Sequence, residues 1–134
     1  MRIEVNQLPP ESSSPNARVH WAKRYSDALG QRSYGEAVYY ECIQVRNSLL
    51  AGGDFRPFRR PVLSLTFVFP SYRQRDEDNL RARFKVGQDI LVRAGLIRQD
   101  DMKHLKINRP KIVVDPARAP LTIMELAETE RLEK

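Results

Sequence analysis

Three carboxylates stand at consecutive positions, Asp76, Glu77 and Asp78, inside the stretch RQRDEDNLRARFK (73–85), which also holds Arg73, Arg75, Arg81, Arg83 and Lys85. The stretch follows the apolar run VLSLTFVF after only Pro70, Ser71 and Tyr72. Asp76 and Asp78 are two residues apart. On a strand that persists so far, period two points both to one side. If a helix begins at Asp78, the pair instead straddles a strand-to-helix junction with free amides nearby. Either geometry can bring two carboxylates together, and like charges resist joint ionisation unless a cation intervenes. Magnesium suits such a place, being a hard ion commonly held by one or two carboxylates and a substrate phosphate. The structural alternative is plain: Asp-x-Asp-Asn also makes a good turn and helix N-cap.

Two further features bear on the choice. Lys85 follows Asp78 by seven residues, two helical turns along the same face, where a cation can offset charge on a metal-bound phosphate. Its bland reading is an i,i+4 pair with Asp89, in the less favourable order. The second feature is Asp100-Asp101, beyond the helix-ending Gly95. A helix of roughly 15 residues would carry these acids about 22 Å from Asp78 if the chain ran straight. To join the cluster they must come back across the sheet or be supplied by a second copy, and spacing alone does not choose.

The elements that must position these residues are legible in outline. IEVNQL alternates as a half-buried strand through Ile3, Val5 and Leu8, and PPESSSPN (9–16) reads as a loop. It leads into a basic segment with His20, Trp21, Lys23, Arg24 and Tyr25. Ser33 and Glu36 have capping-box spacing and predict a helix start, followed by Val38, Cys42, Val45, Leu49 and Leu50 and stopped by Gly52-Gly53. RPVLSLTFVFP predicts a strand with Leu63, Leu65, Phe67 and Phe69 on one face, Val62 and Val68 making the other partly apolar. Asp78 or Asn79 can cap a second helix with Leu80, Phe84, Ile90 and Leu91 as its stripe and Gly95 as its end. HLKINRPKIVV and LTIMELA predict two strands joined by a proline-bearing turn. The expected fold is α+β, in the order β-α-β-α-β-β: two helices on one mixed, mainly antiparallel sheet. A single domain over 1–134 is expected, with a charged tail from about 128.

Composition narrows the class of partner. The chain has 134 residues with 23 Lys and Arg against 17 Asp and Glu, a net charge of +6, and most of the cations are Arg, which favours phosphate-bearing partners. Cys42 is the sole cysteine, so no internal disulfide forms and a reducing compartment is expected. With one Cys and two His, a four-ligand structural zinc site would need carboxylates to complete it. No apolar run approaches 18 residues and the N-terminus lacks a signal-peptide core, so a soluble cytoplasmic protein without membrane association is expected.

The ordered set RDEDNL, Lys85 four residues before DIL, a Gly-terminated helix and then DD resembles the RusA-type Holliday junction resolvases, and LPP…N…R…HW (8–21) is similar to that family's opening strand and loop. The resemblance covers most of the chain in element order, with its specific matches in 75–101. It implies a small dimeric Mg²⁺-dependent endodeoxyribonuclease of bacteria or their phages, with Mn²⁺ as a substitute ion and a four-way DNA junction as substrate. Position by position, Asp76, Asp78 and Asp101 match the metal-binding carboxylates, Lys85 the catalytic lysine and Arg75 the basic residue before the first Asp. Between Asn79 and the lysine this chain is about three residues longer than the family pattern; counting forward from Asn79 lands on Ala82. Three added helical residues turn a side chain by about 300° and advance it about 4.5 Å. Arg18, His20, Lys23, Arg24, Arg32, Arg73, Arg75, Arg81 and Arg83 are the expected DNA contacts, each true phosphate contact adding to salt sensitivity. Three other classes stay open: a binding protein of the same fold that no longer cuts, an interaction protein whose Asp-rich turn only caps a helix, and a phosphotransferase using Asp76 as nucleophile. The last is disfavoured by too few alternating βα elements for a doubly wound sheet.

Overall fold

The computed structural model describes residues 1–10, 21–71 and 77–129, leaving the side chains of 21–29 and 77–79 undescribed. The elements run β1 (Arg2–Val5), α1 (Trp21–Ala51), β2 (Pro61–Phe69), α2 (Glu77–Arg83), α3 (Lys85–Arg93), β3 (Lys106–Ile107), β4 (Lys111–Val114) and β5 (Leu121–Glu128). This is an α+β fold. β5 lies between β1 and β2 and is antiparallel to both, whereas β3 and β4 add in parallel along the other edge of β2. The sheet is therefore mixed, and its two longest ladders are antiparallel.

β2 is its centre because its sequence is apolar on both faces. Leu63, Leu65, Phe67 and Phe69 are buried toward the helices, while Val68 joins Leu121 and Ile123 in a second small cluster on the opposite face. In β5, Met124 and Leu126 stand opposite Leu65 and Leu63, and Ile3 of β1 opposite Met124, so one continuous apolar surface crosses three strands. α1 packs Tyr34, Val38 and Cys42 on this side, and Leu80, Phe84, Leu91 and Leu96 complete the core. The buried hydroxyls are paired: Tyr34 donates to Thr122 Oγ1 at 3.1 Å, and Thr122 donates to the Gln7 carbonyl at 2.6 Å. Burial pushes the Tyr34 phenol well above its ordinary value, and pushes the Cys42 thiol up to about 12.

Four sequence expectations are corrected. α1 begins at Trp21 and not at the Ser33–Glu36 box. Ser33 lies inside the helix, where its main chain needs no cap, and burial of Tyr34 one residue on adds a further anchor. Leu49 and Leu50, expected on the buried stripe, are 40% and 45% exposed, because the core contacts of α1 fade toward its last turn. The terminal hairpin does not form. β4 and β5 flank β2 on opposite sides, and the segment read as one strand divides around Asn108-Arg109-Pro110 into β3 and β4. Pro110 lacks the amide proton that a continuous ladder would use.

The second helix is also in two pieces. It starts at Glu77, so Asp78 sits in the first turn rather than at a cap, and it is interrupted at Phe84. The Phe84 ring is fully buried, edge-on to Phe67 at 6.4 Å, and lies so close over Gly87 that any Cβ there would overlap it. The far end follows the expected Gly95 stop. Gly95 has φ 78°, its amide bonds the Val92 carbonyl at 3.0 Å, and the Leu96 amide bonds that of Leu91 at 3.0 Å. These are the two bonds of a Schellman motif, with Leu91 and Leu96 buried beside it. The charged tail begins later than expected: Glu128 still belongs to β5 and its carboxylate accepts the Arg59 and Arg60 amides, while 130–134 lie outside the described residues.

Candidate functional site

After Gly95 the chain turns back. Phe58 and Ile97 form a parallel bridge, through Phe58 N–H to Leu96 O at 2.8 Å and Arg98 N–H to Phe58 O at 3.0 Å. This anchors the departing strand and returns the next residues toward the first turn of α3. There Lys85 Nζ lies 3.0 Å from Asp100 Oδ2 and 3.3 Å from Asp89 Oδ1. Asp100 thus returns to Lys85 within one chain. The i,i+4 pair of Lys85 with Asp89 exists, and the shorter contact is to Asp100. The Asp100 hydrogen bond raises the Lys85 ammonium above the ordinary lysine value despite some desolvation, with Asp89 adding to it. The same bond holds the Asp100 carboxyl below its usual range.

Asp101 is held differently. Its Oδ1 accepts the Lys103 amide at 3.0 Å, the His104 amide at 3.1 Å and His104 Nδ1 at 2.7 Å. The turn is closed further by His104 and Leu105 amides on the Asp101 carbonyl, and Leu105 is buried beneath it. The carboxylate is held below the ordinary range, first by the His104 side chain. An ionised Asp101 can only accept, so Nδ1 is the protonated ring nitrogen in this contact. Oδ2 carries no bond among the described residues. His104 escaped the sequence reading. Its spacing of three from Asp101, placing both on one turn, was the available signal.

The basic residues divide. Arg81 is exposed and has no partner among the described residues, and with Ala82, Lys85 and Gln88 it lines a cavity of about 480 Å³. Arg83 is turned inward: Nε donates to Pro10 O at 3.2 Å and Nη2 to Pro9 O at 2.5 Å, fastening the segment after β1 onto the end of α2. Arg83, an expected DNA contact, thus has two of its donor groups taken by carbonyls within the fold. Arg32 is exposed on α1 with Glu36 at 3.8 Å. Asp78, Lys23 and Arg24 lie in α2 and α1 with undescribed side chains, and Arg18, His20, Arg73, Arg75 and Asp76 lie outside the described residues.

Among the described residues no group of three or more His, Cys, Asp or Glu could hold a metal, so the described part contributes one carboxylate, Asp101, to the expected set. That carboxylate fits: it is ionised, oriented through Oδ1 and open at Oδ2, and an all-oxygen donor set is what Mg²⁺ or Mn²⁺ takes. Also among the described residues, no helix is long and apolar enough to cross a membrane. No protein-family model matches the chain. An uncharacterized protein of Xylella fastidiosa (strain Temecula1) is 33% identical over 81 residues, covering 60% of this chain and 49% of that protein. The chain thus spans about half the length of the curated relative it matches.

Proposed function

We propose that this chain is a structure-selective endodeoxyribonuclease that nicks four-way DNA junctions in symmetric pairs and depends on Mg²⁺, with Mn²⁺ as a substitute. The supporting observation is the return of the acid pair: the Lys85–Asp100 contact of 3.0 Å puts the turn that carries Asp101 next to the helix that follows Asp78. Seven residues separate Asp78 from Lys85, about 10 Å along a helix, against the roughly 22 Å of a straight course. Asp76, Asp78 and Asp101 would hold the ion, which supplies Lewis acidity toward water and the scissile phosphate. Asp101 is oriented by His104, so its remaining oxygen needs little reorganisation to bind. Lys85 holds the Asp100 turn in place and keeps a positive charge beside it, and Arg81 offers a cation to the DNA backbone. A two-fold dimer would match the pseudo-symmetry of a junction. The setting is the cytoplasm of a bacterium, with a bacterial or phage gene.

One observation favours a second reading, a branched-DNA-binding protein of the same fold that does not cut. Lys85 is engaged by two carboxylates, and the helix carrying it breaks at Phe84, so the cation is committed to the fold more than a phosphate-facing lysine would be. The test is cleavage of a synthetic four-way junction and of a matched linear duplex, with Mg²⁺ or EDTA, by wild type and Asp78→Asn. Symmetric Mg²⁺-dependent nicks lost in the variant support the nuclease. Salt-sensitive junction binding without nicks in either protein supports the second reading, and neither nicks nor binding would sink both.

A further inference from the structure

Building on the DNA-cutting reading, we propose that the cavity beside Lys85 is a subsite for one nucleotide of the substrate, in which Gln88 hydrogen-bonds the edge of an unpaired base and Arg81 and Lys85 face its phosphate. Two buried polar residues occur among the described residues, Thr122 and Gln88. Thr122 is fully used, accepting from Tyr34 and donating to the Gln7 carbonyl. Gln88 is 9% exposed, and its carboxamide has no hydrogen-bond partner among the described residues. A buried amide without partners is costly, and an apolar side chain of similar size would fit the same helix turn, next to Phe84, Ile90 and Leu91, without that penalty. Gln88 lines the same surface depression as Arg81, Ala82 and Lys85.

The chemistry of the lining selects the ligand. A carboxamide presents an acceptor beside a donor. A phosphate takes only the donor and would leave the Gln88 carbonyl unpaired. A nucleobase edge offers a donor next to an acceptor and satisfies both, the pairing by which Gln reads adenine in DNA. Arg81 has no partner among the described residues, and Lys85 is held over the same cavity by its two carboxylates. Charge for a phosphate and a base-reading group are therefore side by side. The depression is shallow and open to solvent, with a volume of about 480 Å³, and leaves room for a base to lie across it. Bases at the crossing point of a junction can leave the stack, which is when such an edge becomes readable.

The first test needs no cleavage. The Gln88 side-chain amide resonances are followed by ¹⁵N NMR while dAMP, dCMP or inorganic phosphate is added to metal-free protein at constant ionic strength. The proposal expects a saturable shift with a mononucleotide, at least several-fold weaker in Arg81→Ala, and little movement with phosphate. An equal response to phosphate, or none to any of the three, overturns it; the second is what a water-filled cavity predicts. On DNA, Gln88→Leu should flatten the sequence bias of nicks across a junction series by about tenfold. Nicks by Gln88→Leu with the wild-type bias would overturn the proposal while leaving the nuclease reading intact. Wild-type protein that never nicks would remove the nuclease reading, and the mononucleotide titration would still decide the cavity.

Discussion

The two ends of α3, a helix of nine residues, are finished in opposite ways. At the C-terminal end the Schellman bonds pair the exposed carbonyls, Gly95 supplies the left-handed residue and Leu91 and Leu96 seal the turn. At the N-terminal end Phe84 makes no side-chain cap bond, Lys85 places a cation where the helix dipole disfavours it, and Gln88 is buried without a partner. An apolar plug, Phe84 over Gly87, holds that end together instead. The Gly95 end closes its polar groups, whereas the Phe84 end leaves the Gln88 amide unpaired on an apolar support, as the proposed site requires.

Its firmest consequence concerns the plug. Phe84→Ala should cost about 3–5 kcal/mol of unfolding free energy, because a fully buried ring is lost from between α3 and β2. Urea unfolding checks this, and a loss under 1 kcal/mol would mean that the N-terminal end is held some other way. Gly87→Ala should cost about 1–3 kcal/mol by overpacking the same ring. At the other end a Cβ on Gly95 meets only the Arg46 side chain at ordinary contact distance, 3.6 Å, but φ is 78°, so strain of about 1–2 kcal/mol is expected there. Gln88→Leu sharpens the comparison by its sign: removing an unpartnered amide should stabilise the protein by about 1 kcal/mol while impairing function. A destabilised Gln88→Leu would indicate a hidden partner for the amide.

The smallest expected effect is electrostatic. Asp100 is depressed, so its contribution is present above its unfolded pKa and is lost as pH falls through the lower folded value. Lys85 is raised, so its contribution is present below its unfolded pKa and is lost as pH rises through the higher folded value. Stability conferred by the pair should be flat between about pH 4 and 10 and fall outside both limits. Lys85 is exposed and Asp100 partly so, and solvent screens the pair, so a few tenths of a kcal/mol is the scale. Comparing wild type with Lys85→Met in thermal melts across pH isolates it: a difference that changes steeply near neutrality would contradict this pairing.

How far the sequence carried depended on whether a signal was local. The Gly95 stop, the two-faced apolar character of β2 and the α+β class were legible because each depends on neighbours a few residues away. The Ser33 start misled because a capping-box pattern is also tolerated inside a helix whose preceding turns continue. The terminal hairpin misled because two strands in succession pair only if no other edge competes, and β2 offers both of its edges. In the candidate site, Asp101 and Lys85 were singled out from the sequence, but the observed contact of Lys85 is to Asp100, a choice between adjacent acids that only the return path after Ile97 fixes. Gln88 and His104 were invisible for the same reason: their significance lies in what they do or do not touch.

The central claim is that the turn at Asp101 and the helix at Asp78 serve one metal-dependent centre. Binding of Mn²⁺ to wild type, Asp78→Asn and Asp101→Asn, followed by electron paramagnetic resonance, tests it most directly. Wild type should bind, and each variant should weaken binding by more than about tenfold while remaining folded. Asp101→Asn that binds Mn²⁺ as wild type does would contradict the claim and leave the Asp101–His104 contact as a turn-closing bond alone.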